Sequence, residues 1–335
     1  MAFVIREADV IADLPLMRAT LNANRTKEAT IERFEWLYLR NPDGLARAWF
    51  VMDDRTSEVA GFTAVFPRRV QVRGAAAATA WNCGDFSIHQ KYRTGGAAVT
   101  LRRAARQAVD RGESPFLYAH PNDRMLPVHL RVGHLRLAQM VRLAKPLRIG
   151  GPGMTGTLSG IALRMAGIDW VPCAADDVEI VTGRLGPELD ELFDAVSPRL
   201  GTALIRDSRY VDWRYRHSPS PDQLLVSRRN GRLTGFVAWA QSGDIAQVKD
   251  WLALDVRAWR TLFAAVLRTA RRGGLQSVSV IALETNPDLR WFRQFGFVAR
   301  PDSSTAVSYA PEGSPYRPGV TKPDAWFMTV GDRDV

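Results

Sequence analysis

Two cysteines in 335 residues, Cys83 and Cys173, are too few and too far apart along the chain to build a disulfide framework or a zinc site. Their scarcity fits a reducing compartment. Lysine is nearly as rare: among 45 Lys and Arg residues only Lys27, Lys91, Lys145, Lys249 and Lys322 are lysines. The arginines are spread out and form no block of five or six like charges. The net charge of +10 is therefore read first as the codon bias of a GC-rich genome, and only second as a surface for nucleic acid, an anionic cofactor or a membrane. No run of 18 uncharged apolar residues occurs, the nearest, "GGPGMTGTLSGIALRMAGIDW", being interrupted by Arg164. The N-terminus, "MAFVIREADVIADLPLM", has no basic segment leading into an apolar one and does not read as a signal peptide. These absences predict a cytoplasmic protein, monomer or homodimer, with no membrane span, no metal site and no nucleic-acid partner.

The chain does contain an ordinary globular composition, 46% hydrophobic and 24% charged. Its length exceeds what one hydrophobic core usually organises, so two domains of about 150 residues are expected. It also repeats itself. "FEWLYLRNP" and "VDWRYRHSP" share Trp-x-Tyr-x-x-x-Pro, with Trp36 answering Trp213, Tyr38 answering Tyr215 and Pro42 answering Pro219. "VAGFTAVF" is matched by "LTGFVAWA", "WNCGDFSI" by "QVKDWLAL", and "VHLRVGH" by "WFRQFGF". Four matches in one order mark a duplicated unit.

Each unit reads as strands alternating with amphipathic helices, which is mixed α/β (α+β). The first has strands at 4–7, 47–53, 60–72, 79–88, 115–120 and 136–143, and helices at 14–22, 30–40, 96–111 and 124–132. The second repeats the scheme from Val178, with helices near 187–196, 210–215 and 256–272. The expected division is 1–148, a small-residue linker at 149–177 with a short helix at 156–165, and 178–335.

The stretch "DFSIHQKYRTGGAAVTLRRAA" carries the clearest chemistry. A strand runs through Arg93-Thr94-Gly95-Gly96 into a helix with no Ser, Asp or Asn cap. Main-chain N–H groups at such a start point outward together, and the helix dipole favours an anion there. Gly95 and Gly96 let the backbone approach closely, Ala97 and Ala98 keep the first turn free of bulk, and Arg93 can add a charge-assisted contact. The spacing is neither the dinucleotide fingerprint nor the triphosphate loop.

"IHQKYRTGGAAVTLRRAA" resembles the acetyl-CoA-binding segment of the GNAT superfamily of N-acetyltransferases, at Ile88, Tyr92, Arg93, Gly96 and Ala98. "NDRMLPVHLRVGH" resembles the second part of that family's pattern, Asn-x-x-Ala-x-x-Phe-Tyr-x-x-x-Gly-Phe. Asn122 and Gly133 are kept, while His129 stands at the tyrosine position and His134 at the final phenylalanine. In the second unit no glycine precedes the helix after Asp255, and Phe292 fills the tyrosine position. The resemblance implies two tandem GNAT-like domains, each a mixed, mostly antiparallel twisted sheet flanked by helices. The first would bind acyl-CoA; the second is a degenerate copy.

The resemblance further implies acyl transfer, acetyl-CoA being the expected co-substrate, to a small amine such as an amino sugar or amino-acid derivative, by direct attack on the thioester. Splayed strands would expose backbone at Phe86, Ser87 and Ile88 to the pantetheine arm, with the pyrophosphate on Thr94 to Ala98 and an oxyanion donor near Ser87 or Ile88. His129 would protonate the departing thiolate; its alternative is a helix residue without chemistry. Asp85 is the first choice of base, its alternative a carboxylate paired with a nearby arginine. Tyr118 and His120 lie on one side of their strand by alternation and could orient the amine or relay its proton. Asn122 would bond backbone or pantetheine. Trp36 and Tyr38 are read as packing residues, since both recur in the second unit. Two other functions share the fold: a Fem-like aminoacyl transferase using charged tRNA, and a non-catalytic acyl-CoA-binding protein.

Overall fold

The computed structural model describes residues 2–148, 158, 161, 162 and 176–333. The first half runs β1 (Phe3–Glu7), α1 (Leu14–Asn22), α2 (Ile31–Phe34) continued by a π turn (Glu35–Leu39), β2 (Arg47–Asp53), β3 (Val59–Gln71) and β4 (Ala78–Ile88). Then follow α3 (Ala97–Asp110), β5 (Leu117–Ala119), α4 (Leu126–Arg131) and β6 (Leu135–Pro146). The second half repeats the pattern: β7 (Asp177–Ile180), α5 (Glu188–Val196), β8 (Ala203–Leu204), and α6 (Ser208–Val211) with a π turn (Asp212–Arg216). It continues through β9 (Gln223–Arg229), β10 (Arg232–Ser242), β11 (Ile245–Ala253), α7 (Val256–Arg272), β12 (Ser277–Leu283), α8 (Leu289–Gln294) and β13 (Val298–Tyr309). The elements expected from the sequence are present within a few residues at their ends. The helix expected at 156–165 lies largely outside the described residues.

Thirteen strands form one mixed sheet in the order β1-β2-β3-β4-β5-β13-β6-β12-β11-β10-β9-β7, with β8 paired to the end of β3. The two halves exchange their last strands. β13 lies antiparallel between β5 and β6, and β6 lies antiparallel between β13 and β12. Each half is thus closed by a strand from the other, and the sheet is continuous across the middle.

Strand register shows how the duplicated motifs correspond. Phe62 faces Ser87, and Val65 faces Cys83. In the other half Phe236 faces Leu252, and Trp239 faces Val248. Phe86 therefore corresponds to Trp251, Asp85 to Asp250 and Cys83 to Val248, with a β-bulge between them in both copies. The repeated Gly-Phe has a steric cause. A Cβ on Gly61 would stand 2.4 Å from the Ser87 carbonyl oxygen, and one on Gly235 would stand 2.7 Å from that of Leu252.

Helix α3 buries Ala97, Leu101, Ala104, Ala105, Ala108 and Val109 against Trp49, Val51, Val65 and Trp81. Apolar residues at these intervals form one stripe, and the predominance of alanine brings the helix close to the sheet. This holds the start of α3 beside the end of β4.

Candidate active site

β4 pairs with β3 along its length but with β5 only at Trp81↔Leu117 and Asn82↔Tyr118. β5 stops at Ala119, so beyond Asn82 the two parallel strands part. A cleft of about 230 Å³ opens there, and its lining includes Cys83, Asp85, Phe86, Arg102, His120, Asn122 and His129. Along Phe86, Ser87 and Ile88 the β4 edge that would face β5 carries no ladder partner among the described residues. The Ser87 hydroxyl donates to the Thr20 carbonyl and accepts from Asn24 Nδ2, both at 2.8 Å.

From Ile88 the chain makes a 3-10 turn, Gln90–Tyr92, anchored by Tyr92 Oη and Lys91 Nζ on Glu58 Oε2 at 2.8 and 3.0 Å. Gly96 then starts α3 with φ +84°, a left-handed conformation that favours glycine. No side chain caps this helix, and its first turn contains no acid. Thr94, Gly95 and Gly96 are exposed, and nothing lies within 4 Å of where a Gly96 Cβ would be. Ala97 and Ala98 form the first turn, and the exposed Arg93 donates to Asn24 Oδ1 at 2.7 Å.

The second half solves the same local problem differently. Asp255 is the N-cap of α7, with extended backbone, and its Oδ1 accepts from the Ala258 N–H at 2.8 Å. Arg229 pairs with that carboxylate at 2.9 Å. A carboxylate and its counter-ion sit where α3 presents only backbone N–H groups and glycine.

The cleft walls place the other candidate residues. Asp85, whose side chain is 1% exposed, accepts from Arg33 at 2.7 and 3.0 Å, from Arg25 at 3.1 Å and from Tyr38 Oη at 3.0 Å. Asp250 in the other half is held the same way, by Arg206 at 2.8 Å and Tyr215 Oη at 2.8 Å. Both oxygens of Asp85 are thus taken up by donors, and the arginine-paired arrangement is the one observed. Tyr118 is buried outside the cleft lining, its ring 5.4 Å from that of Trp326. His120 does line the cleft. Its Nε2 lies 3.3 Å from the Met328 sulfur, and burial, with the charge of Arg333, pushes its pKa down to about 3. Asn122 is exposed, and its Oδ1 accepts from the Met125 N–H at 3.0 Å, shaping the turn into α4.

His129 is buried on α4, its ring 4.6 Å from the His134 ring at 86°. Burial and the neighbouring Arg102 hold its pKa well below the usual imidazole range, so the ring is neutral at physiological pH. Arg102 itself escaped the sequence reading. It is 1% exposed, stacks 5.4 Å over the Phe86 ring, and has buried Nε and Nη1 atoms without a hydrogen-bond partner. The available signal was an arginine beside the alanine stripe of α3, indistinguishable by type from the chain's many others.

No protein-family model and no curated protein sequence matches the chain. Solved structures do. A conserved protein of unknown function from Enterococcus faecalis, a probable N-acyltransferase, gives a TM-score of 0.73 at 13% identity over 95% of this chain and 75% of its own. A GCN5-related N-acetyltransferase from Anabaena variabilis gives 0.68 at 15% identity over 92% and 73%. The chain has the GNAT fold. Saccharomyces cerevisiae N-myristoyltransferase, with bound myristoyl-CoA, shares it with a TM-score of 0.62 at 13% identity over 100% of this chain and 84% of that one. Among the described residues no helix of this GNAT-fold chain is long and apolar enough to cross a membrane.

Within the GNAT fold the two halves differ where α3 and α4 meet the sheet. In the second half Phe263 of α7 packs edge-on to Trp251 at 5.9 Å, and Phe292 and Phe297 meet edge-on at 5.2 Å. In the first half Arg102 takes the place of Phe263 above Phe86, and His129 and His134 take the places of Phe292 and Phe297. One half fills this region with aromatic rings. The other fills it with a guanidinium and two imidazoles.

Proposed function

We propose that this protein is an acyl-CoA-dependent N-acyltransferase with a single cofactor site, in its first half, and that residues 178–335 are a cofactor-free copy of residues 1–148. The observation that carries the reading is the uncapped glycine start of α3 at Gly96, set against the Asp255-capped start of α7. An anion would occupy the place of a capping side chain with the N–H groups of Thr94, Gly96, Ala97 and Ala98 around it, that of Gly95 being held by the Tyr92 carbonyl at 3.3 Å, and the CoA pyrophosphate has the charge and acceptors to do so. The open edge of β4 at Phe86, Ser87 and Ile88 would pair with the pantetheine amides as with an added strand.

The thioester then lies in the β4–β5 cleft. The amine nitrogen attacks its carbonyl carbon, the C–S bond breaks, and the amine loses a proton while the thiolate gains one. Arg102, with unpaired N–H groups, meets the charge that develops on oxygen and then on sulfur. His129, a neutral imidazole, donates a hydrogen bond from its one N–H to the departing sulfur without giving up that proton. Asp85 is a positioning residue that fixes Arg33, Arg25 and Tyr38 around the bulge, and His120 and Asn122 belong to the acceptor side. Such polar walls suit a short acyl group, acetyl before longer chains, and a small amine acceptor. The test is calorimetric titration with acetyl-CoA and CoA of the parent and of Gly96→Glu, followed by CoA release with a panel of small amines. Binding by the parent that is lost in Gly96→Glu, with amine-dependent CoA release, supports the reading; equal binding by both proteins, or none by the parent, overturns it.

A further inference from the structure

Cys83, His129 and His134 come from three elements, the point on β4 where the strands part, α4, and the turn before β6. One ligand atom from each, the Cys83 Sγ and a nitrogen of each imidazole, lies within 4.8 Å of the other two. His129 Nδ1 and both ring nitrogens of His134 are buried without a well-formed hydrogen bond, the His129 carbonyl being the one acceptor set against the His134 ring, and the two residues are each 2% exposed. Buried polar atoms that are poorly paired are costly, and their gathering on two touching rings calls for a ligand.

The duplicated half supplies the control. Cys83, His129 and His134 correspond to Val248, Phe292 and Phe297, and the two phenylalanines meet edge-on, 79° apart, much as the two histidines do at 86°. The fold therefore packs well at these positions without any polar atom. The first half departs from the apolar solution at all three positions together, and in each case to a residue type that binds metal.

We infer that Cys83, His129 and His134 form a binding site for a thiophilic d10 metal ion, Zn(II) or Cu(I). One thiolate and two imidazoles form a soft-to-borderline donor set, which selects against magnesium and calcium. Three protein ligands complete a trigonal Cu(I) site or leave one position of a tetrahedral Zn(II) open. Because Cys83 and His129 line the cleft, that position faces it. Arg102, beside the histidines, opposes a cation there; the thiolate offsets one positive charge, so a Cu(I)–thiolate unit is neutral and Zn(II) retains one charge. This electrostatic difference favours Cu(I). The inference departs from the expectation, drawn from cysteine number alone, that the chain has no metal site: one cysteine suffices when two histidines converge on it.

The experiment uses the full chain stripped with a chelator, then given one equivalent of Zn(II), or of Cu(I) under anaerobic reducing conditions, desalted, and assayed for bound metal by mass spectrometry. Co(II) serves as a spectroscopic probe through its sulfur-to-metal charge-transfer absorption. The expected result is close to one ion per chain, with Cu(I) outcompeting Zn(II), and affinity reduced at least about tenfold in Cys83→Ser and in His134→Phe. His134→Phe copies the packing of the second half and should fold; Cys83→Ser is nearly isosteric; Cys173→Ser should bind as the parent does. No retained metal in the parent, or undiminished binding and charge transfer in both site variants, overturns the inference. Binding is measured without CoA, so its failure leaves the acyltransferase reading standing, and failure of CoA binding leaves the metal site standing.

Discussion

The indoles of Trp36 and Trp213 stack on each other at 4.8 Å with 22° between their planes, and each donates its N–H to the other's backbone carbonyl, at 3.0 and 3.2 Å. Two equivalent residues from the two halves thus make the same hydrogen bond to one another, as a local two-fold axis requires. Both rings are nearly buried, at 6% and 7% exposure. The pair joins the two π turns and, with the exchanged strands β6 and β13, ties the halves together.

Trp36→Ala and Trp213→Ala should each destabilise the protein by about 3–5 kcal/mol, the usual cost of truncating a buried tryptophan. The double variant should lose less than the sum, since each single change already removes the stacking that the two rings share, although it takes away only its own indole's hydrogen bond and leaves the backbone carbonyl that accepts the other. Denaturant midpoints of the parent, both singles and the double provide the check. Strict additivity would show that the rings do not act as a pair.

Much of this was legible beforehand. The Trp-x-Tyr and Gly-Phe repeats marked the similar order of elements in the two halves because each serves a local need, such as the missing Cβ at Gly61 and Gly235. The glycine start of α3 was legible because the absence of a cap shows in one dimension. The exchange of β6 and β13 was not, since pairing between strands more than 150 residues apart leaves no mark in either strand's pattern. Nor was the cluster of Cys83, Arg102, His129 and His134, whose members are ordinary residues until the β4 bulge and α4 bring them together. Asp85 was found, but its role depended on Arg33 and Tyr38, which sequence spacing could not place against it.

The two helix starts give opposite predictions. Saturating CoA, at about 100 times its Kd, should raise parent stability by about 2.7 kcal/mol, and Gly96→Glu should abolish that gain. Asp255→Ala should lower the stability of the free protein by about 1 kcal/mol through loss of the α7 cap, while leaving the CoA-induced shift intact. Thermal melts of three proteins with and without CoA decide both. A CoA shift lost in Asp255→Ala would move the binding site to the wrong half.

Asp85→Asn should cost about 3 kcal/mol, because it leaves the guanidinium of Arg33 facing a neutral amide in a largely buried position. If Asp85 only positions its neighbours, kcat of the folded fraction should fall modestly and its pH profile should keep its shape. Loss of an acidic limb from that profile would instead identify Asp85 as the general base.

His120 makes folding sensitive to acid. An unfolded histidine takes up a proton near pH 6.5, whereas buried His120 resists protonation until about pH 3. Between those values the unfolded chain binds the extra proton, so stability is full above pH 6.5 and is lost as pH falls, by about 2 kcal/mol at pH 5 from this residue alone. His120→Leu should remove that share. Parallel denaturation series at pH 7 and pH 5 should show the smaller drop in the variant, and an equal drop in both would mean that His120 is protonated alike in the folded and unfolded chains.

Arg102→Met separates function from stability. Folding buries the guanidinium with two nitrogens unpaired, while the second half fills the corresponding place with Phe263 at no such cost. Replacing it with an apolar side chain of similar length should therefore leave stability unchanged or raise it, because a buried cation without a full set of partners destabilises the fold. Acyl transfer should fall by about a hundredfold, the usual consequence of removing one donor from a developing negative charge, with most of the loss in kcat. A variant that is destabilised and fully active would make Arg102 a structural residue and would remove the charge-stabilising group from the cleft. A variant that is stable and inactive would show that the first half keeps an unfavourable buried charge for the reaction, as the contrast with Phe263 implies.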